Sequence, residues 1–273
     1  MRSWSGSLLS EKRARKRLAR KEQRYEREQL LLRKDFSSER KVMEEVFDKS
    51  TLMIVYRFLN KGVIDEIYGT VKAGKEARVY WGKDRDGKEL AIKIYLTVAS
   101  EFKKGKLRYI EGDPRFTHVK RDTRSLVYAW ALKEFKNLKL AIKARVRVPR
   151  PIALDGNVLV MKFIGRNGNP ALKLTEIPPK NPRLVYDELV EFVKRLYKKV
   201  ELVHGDLSEY NIMLWRNKPV LFDMAQSVLL SHPMAYTFLK RDLVNLHKYF
   251  KRLGVEVESP EEIYRTIVED DAA

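Results

Sequence analysis

The sequence predicts an α+β fold in two lobes, a small antiparallel sheet followed by a mostly helical half. Three observations lead to it. Short apolar runs broken by turns fill residues 67–95, as the strands of a small sheet would. Farther along, apolar residues recur every three to four positions, the period of amphipathic helices. A short strand-like exit near residue 161 joins the two patterns, so a ligand can sit between the halves.

At 273 residues the chain suits one large domain or two lobes of ordinary size. We divide it into a basic helical extension over 1–44, a sheet-rich lobe over 45–161 and a helix-rich lobe over 162–273. Residues 11–28, EKRARKRLARKEQRYERE, hold nine basic and four acidic side chains. Helix is allowed there, but no continuous apolar stripe would let it fold alone. The segment reads as a solvated tail or as an RNA-contacting arm.

From about 40, Met43, Val46 and Phe47, then Leu52, Val55, Phe58 and Leu59, mark amphipathic helix until Gly62. Strands follow over Ile67–Val71, Ala77–Trp81 and Glu89–Tyr95, with Asp84-Arg85-Asp86-Gly87 as a hairpin turn. Residues 103–120, KKGKLRYIEGDPRFTHVK, are polar and basic and predict a loop. A helix over about 121–142 carries Trp130, Leu132, Phe135 and Leu138. ARVRVPRPIAL (144–154) and NVLVMKFIG (157–165) predict two more strands. Pro178, Pro179 and Pro182 punctuate a connection, and a strong helix runs from Leu184 to Val200. Two helices finish the chain. Ser259, Pro260 and Glu262 open the last one as a capping box with proline at the first helical position.

Composition narrows the function. Hydrophobic residues make up 44% of the chain, enough to bury a core. There is no cysteine, which excludes a disulfide framework and a thiolate metal site and fits a reducing compartment. The N-terminus lacks a signal-peptide core, and no run approaches the roughly 18 apolar residues of a membrane span. A cytoplasmic protein without membrane contact is expected. Lys and Arg exceed Asp and Glu by 56 to 37, a formal net charge of +19. Such an excess predicts attraction to a polyanion. A thermophile's charged surface would explain many charges but not the one-sided balance.

The chemistry concentrates in HGDLSEYN, His204 to Asn211, and LFDMAQ, Leu221 to Gln226. Phosphoryl transfer needs a group to orient the attacking hydroxyl or water, and hard oxygen ligands for a metal that bridges the phosphates. Asp206, Asn211 five residues on, and Asp223 after an apolar run supply that set. Lys93 lies in the apolar run LAIKIY, where a lysine is costly to bury without a partner. The run matches the kinase Val-Ala-Ile-Lys pattern, whose lysine grips phosphates and pairs with a helix glutamate. Glu134 is the candidate partner, with Glu101, Glu111 and Glu176 as rivals. Just before that strand, VKAGKEARVYWG (71–82) occupies the place of a phosphate-covering hairpin, with Gly74 and Lys75 at its turn.

Together GKEARVY, AIKIY, HGDLSEYNIM, FDMAQSV and SHPMAYTFLKRD resemble the RIO family of atypical serine protein kinases, in its Rio-one branch. TLMIVYRFLNKGVI (51–64) and YIEGDPRF (109–116) resemble that branch too, so the resemblance runs from about 45 to 268. It implies a truncated, two-lobed protein-kinase-like fold that uses ATP with Mg²⁺, or Mn²⁺ in its place. It implies Asp206 as the catalytic aspartate, Asn211 and Asp223 as metal ligands, and Lys93 with Glu134 as the ion pair. Gly74, Lys75 and Val79 would cover the nucleotide, and Met161, Phe163 and Ile164 would line the hinge that holds adenine. The family acts in maturation of the small ribosomal subunit, autophosphorylates and hydrolyses ATP. The implied partner is therefore a small-subunit precursor, with its rRNA and ribosomal proteins. The cysteine-free, charge-rich composition leans towards an archaeal thermophile.

Three positions depart from the family pattern. Lys72-Ala73 stand where Ser-Thr is usual, Arg78 replaces a small polar residue, and Lys162 stands where the hinge often has an acid. Gly205 replaces the arginine of His-Arg-Asp, and only 50 residues follow Asp223, too few for an ordinary peptide-binding platform. Two other readings stay open, a small-molecule phosphotransferase and an RNA-binding pseudokinase scaffold. Against the scaffold stand Lys93, Asp206, Asn211 and Asp223, none of which it would need. His204 is expected to order the catalytic loop, whereas His118, His232 and His247 lack companions at metal-ligand spacing. Thr97, Ser100, Thr117 and Thr123 are candidate autophosphorylation sites.

Overall fold

The computed structural model describes residues 43, 46–97 and 102–269. The basic stretch 11–28, Glu101 and Ser100 lie outside the described residues. The chain falls into two compact units, one ending at Gly62 and one starting at Val63. In the first, helix α1 (Lys49–Asn60) is capped by Asp48, whose carboxylate accepts from the Thr51 amide at 2.8 Å. Ile54, Val55, Phe58 and Leu59 are buried, as their spacing requires.

The second unit opens with the sheet. Strands β1 (Glu66–Ala73), β2 (Ala77–Lys83) and β3 (Glu89–Tyr95) form an antiparallel meander. The β2–β3 turn is closed by the Gly87 amide on the Asp84 carbonyl at 2.9 Å, and Gly87 takes the positive φ (73°) such a turn needs. β4 (Pro151–Asp155) and β5 (Val158–Lys162) complete a five-stranded sheet of order β1-β2-β3-β5-β4. The expected strand from 144 is shorter than the sequence suggests. Residues 146–150 carry no ladder, and Pro149 among them has no N–H to give one.

The segment read as a loop over 103–120 is a correction. Its first part is helix α2 (Phe102–Ile110), followed by a 3₁₀ turn over Pro114–Phe116. Lys106, Tyr109 and Ile110 are all buried on it. The lysine hid that face from a hydropathy reading. Its ammonium lies 4.8 Å from the centre of the Trp130 ring, so its stem packs as an apolar group would. The long helix α3 (Thr123–Lys143) is capped by Asp122, which accepts from the Ser125 amide at 2.9 Å.

Beyond the short hairpin β6 (Gly165–Arg166) and β7 (Asn169–Pro170) comes helix α4 (Pro182–Val200). Pro182 opens this helix at its first turn, after Asn181, where a missing N–H costs nothing. Four short strands follow, β8 (Leu202–Val203), β9 (Ile212–Trp215), β10 (Lys218–Leu221) and β11 (Val228–Leu229). Helices α5 (Ala235–Arg252) and α6 (Pro260–Val268) end the described chain, and the Ser259–Glu262 capping box is complete. One buried cluster joins Leu159 and Met161 of the sheet, Leu138 of α3, Leu189 and Phe192 of α4, and Leu243 and Phe250 of α5. No helix among the described residues is long and apolar enough to cross a membrane.

Candidate active site

A cleft of about 580 Å³ opens between the sheet and the segment after β10. Val79, Ala91, Met161, Phe163 and Ile164 give it an apolar wall. Lys93, Glu134 and Asp223 meet inside it, and Gly74 and Lys75 overhang it from the β1–β2 turn. The Gly74 amide closes that turn on the Ala77 carbonyl at 3.0 Å.

The sheet register places Lys93 between Val79 and Leu159, on the central strand. Its ammonium contacts Glu134 Oε1 at 2.9 Å and Oε2 at 2.8 Å, and Asp223 Oδ1 at 3.0 Å. The Tyr95 hydroxyl also donates to Glu134. Burial opposes the lysine's charge, but the carboxylates of Asp223 and Glu134 outweigh it and raise its pKa. Lys93 in turn holds the Asp223 carboxyl below its ordinary range, while burial pushes Glu134 up to about 7 despite the same lysine. Of the rivals, Glu111 reaches Arg121 at the surface, and Glu176 lines the cleft but accepts from the Lys173 amide at 2.8 Å.

Asp206 and Asn211 lie beside each other in the loop after β8. The Asn211 amide nitrogen donates to Asp206 Oδ2 at 2.9 Å and to the Asp206 carbonyl at 2.8 Å. Gln226 donates to the same Oδ2 at 3.1 Å, which links Asp206 to the turn after Asp223. Burial raises the Asp206 pKa, partly offset by the Asn211 hydrogen bond. His204 is buried, accepts from the Asp206 amide at 3.3 Å, and is kept neutral by burial with a pKa of about 4. That is the loop-ordering part expected of it. His232 and His247 instead bond to the carbonyls of Glu111 and Glu258.

The donor set suits a hard cation. Asn211 spends its nitrogen on Asp206, which leaves its amide oxygen, and Asp223 keeps one oxygen beyond Lys93. No three His, Cys, Asp or Glu residues gather as a cage among the described residues. One carboxylate and one amide oxygen match Mg²⁺, which takes few protein ligands and completes its shell with water and phosphate.

Sequence reasoning missed the group that holds the loop. Asp242, buried on α5, accepts from the Gly205 amide at 2.7 Å and the Leu207 amide at 2.8 Å. Asn245, one turn on, donates to the Leu207 carbonyl at 3.1 Å, and Arg241 donates to the Gly205 carbonyl. Burial pushes Asp242 up to about 7, against those two amides. A signal was available, since Asp242 falls on the apolar face of Leu239, Leu243 and Leu246. The Glu76–Lys106 ion pair, both members lining the cleft, was missed with helix α2.

An antiparallel sheet, a helix glutamate paired to a strand lysine, and an Asp-Asn loop facing a second aspartate define a protein-kinase-like fold. The comparisons agree. The RIO domain matches residues 78–263. The chain is 39% identical over 231 residues to the RIO-type serine/threonine-protein kinase Rio1 of Haloferax volcanii, covering 85% of this chain and 79% of that one. It is 40% identical over 233 residues to Rio1 of Methanocaldococcus jannaschii, with the same coverage. Against the human serine/threonine-protein kinase RIO1 it is 36% identical, covering 85% of this chain but only 41% of the relative. The crystal structure of a Rio2 kinase–ADP/Mg²⁺–phosphoaspartate complex from Chaetomium thermophilum shares the fold at a TM-score of 0.62 and 22% identity, over 79% of this chain and 64% of that one. The chain belongs to the RIO family.

Proposed function

We propose that this protein is an ATP-dependent serine/threonine kinase and ATPase that acts on the maturing small ribosomal subunit and phosphorylates itself. One observation carries the reading: Lys93 and Asp223 meet in a cleft with an apolar wall, and Gln226, which lines the same cleft, bonds Asp206 and through it the Asp206–Asn211 pair. The wall suits adenine. The Ile164 amide has no hydrogen-bond partner among the described residues and would donate to the base, while the Phe163 amide is taken by the Glu89 carbonyl. Lys93, with Lys75 above it, would grip the phosphates. Asn211 and Asp223 would hold Mg²⁺, which when bound neutralises charge on the transferring group.

Asp206 would orient the attacking hydroxyl or water. Its raised pKa makes it a better proton acceptor than a solvated aspartate, and Asn211 and Gln226 fix its direction. Where ATP hydrolysis dominates, it would instead accept the phosphoryl group itself. The phosphoaspartate of the Chaetomium Rio2 complex gives that route a precedent in a protein of the same fold. The ribosomal assignment rests on the family resemblance and on the net charge of +19, which suits an RNA-rich particle.

Incubation of the protein with γ-labelled ATP and Mg²⁺, with and without small ribosomal subunits, tests the proposal. Label on protein or as free phosphate, raised by the particle, is expected. ATP binding with no turnover under either condition would leave a nucleotide-gated scaffold instead.

A further inference from the structure

The stretch YIEGDPRF is absorbed neither by the cleft nor by the catalytic loop. Its structure gives it a task. Asp113 is buried and held by Arg115, at 2.9 Å through Nε and 2.7 Å through Nη2. Lys133 of α3, fully buried, pairs with the same carboxylate at 3.2 Å. Arg115 also donates to Asn137 Oδ1 at 2.8 Å, and Asn137 is buried one turn beyond Lys133. The other donors of this cluster point one way. Asn137 Nδ2 donates to the Met224 carbonyl at 2.8 Å and the Ser227 carbonyl at 2.9 Å, and Lys133 donates to the Ser227 carbonyl as well.

Those two carbonyls bracket the turn that follows Asp223. Asp223 itself sits in the left-handed region, at φ 60° and ψ 55°. A non-glycine residue stays in such a conformation only where its surroundings over-determine it. The same turn carries Gln226, which reaches Asp206. Clamping Met224–Ser227 therefore fixes a group on each side of the reaction centre. The clamp is anchored farther out too. The Glu111 carbonyl meets His232 at 2.9 Å, and Gly112 packs so closely on Pro233 that a Cβ there would come within 2.8 Å of it.

We infer that Asp113, Arg115, Lys133 and Asn137 are positioning residues that hold the Met224–Ser227 turn so that Asp223 presents its free carboxylate oxygen to the metal. None of the four touches the nucleotide cleft, so they act through the turn. The inference rests on the reading of Asp223 as a metal ligand. Glu111, Asp113 and Arg115 follow directly on α2, whose Lys106 pairs with Glu76 of the phosphate-covering hairpin. The clamp thus joins that hairpin's outer contact to the metal-binding aspartate through one continuous stretch of chain.

The test measures ATP affinity of the full chain by calorimetry, once with Mg²⁺ and once with EDTA. A purely structural role would not change the ratio of the two. Lys133→Met and Arg115→Gln are compared with wild type, with Asp223→Asn as the control. Loss of an outer partner of a metal ligand typically weakens metal binding about 10–100-fold. We expect Lys133→Met to lower the Mg²⁺-dependent gain by about 10-fold and Arg115→Gln, at the rim, by about 3-fold, with EDTA affinity unchanged. Arg115→Gln decides alone if Lys133→Met fails to fold. An unchanged ratio in a folded Arg115→Gln protein, with the gain abolished by Asp223→Asn, overturns the clamp and spares the metal reading. No gain in the wild type overturns both.

Discussion

Two lysines meet at neighbouring positions of helix α3, one half-buried and one sealed, and have opposite fates. Lys93 comes from the sheet to meet Glu134, while Lys133, the residue before that glutamate, turns towards Asp113 and the Ser227 carbonyl. Lys93 keeps 12% of its side chain exposed at the cleft, and Lys133 keeps none. Two carboxylates of its own raise the pKa of Lys93. Burial lowers that of Lys133 to about 8, because its single carboxylate is shared with Arg115. One pair is open on the side of Asp223, where the proposed function has it exchange that partner for a phosphate. The other is sealed and can only hold. On that reading, similar chemistry serves binding at one helix position and scaffolding at the next.

Substitution by methionine breaks the symmetry most sharply. Lys93→Met removes the ammonium that bridges Glu134 and Asp223 and is expected to cut phosphoryl transfer about 100–1,000-fold, read from initial rates with γ-labelled ATP. Its fold survives, since Asp223 is partly solvated and Tyr95 still donates to Glu134. Lys133→Met strands part of a sealed network and is expected to lower unfolding free energy by about 3–5 kcal/mol in urea. Equal stability losses in the two variants would erase the contrast.

A smaller effect sharpens the account of Asp242. Its folded pKa, about 7, lies above the ordinary 3.8. Between those values the native state keeps a proton that the unfolded chain has released, so this group's contribution to stability falls as pH rises from about 4 to about 7. Asp242→Asn removes that slope. The Tm difference, wild type minus variant, should therefore decline across that window, and a flat or rising difference would contradict the assignment.

The same comparison explains what was legible. Lys93 stood out because strand neighbours on both sides are apolar, and a charge there demands a reason. Lys133 did not, because α3 carries four lysines from 133 onward and three of them look like an ordinary solvated face. Only the fold reveals which one is sealed. Glu134 was reachable from helix context, and the Asp206–Asn211–Asp223 spacing led directly to residues the structure brings together. Helix α2 was lost because Lys106 packs its stem over Trp130, and an alternation of charge and apolar residues that short reads as loop. Asp242 was hidden for a third reason. Its partners are backbone amides 35 and 37 residues away, and backbone leaves no trace in composition.

On the proposed function, Asp206 serves the chemical step in a cleft that binds ATP without it. Single-turnover loss of the γ-phosphoryl group from a stoichiometric ATP–Mg²⁺ complex measures this directly, in the wild type and in Asp206→Asn. The account predicts a rate about 100–10,000-fold lower in the variant with ATP affinity within a factor of about three. An unchanged rate, or affinity lost together with rate, would contradict it.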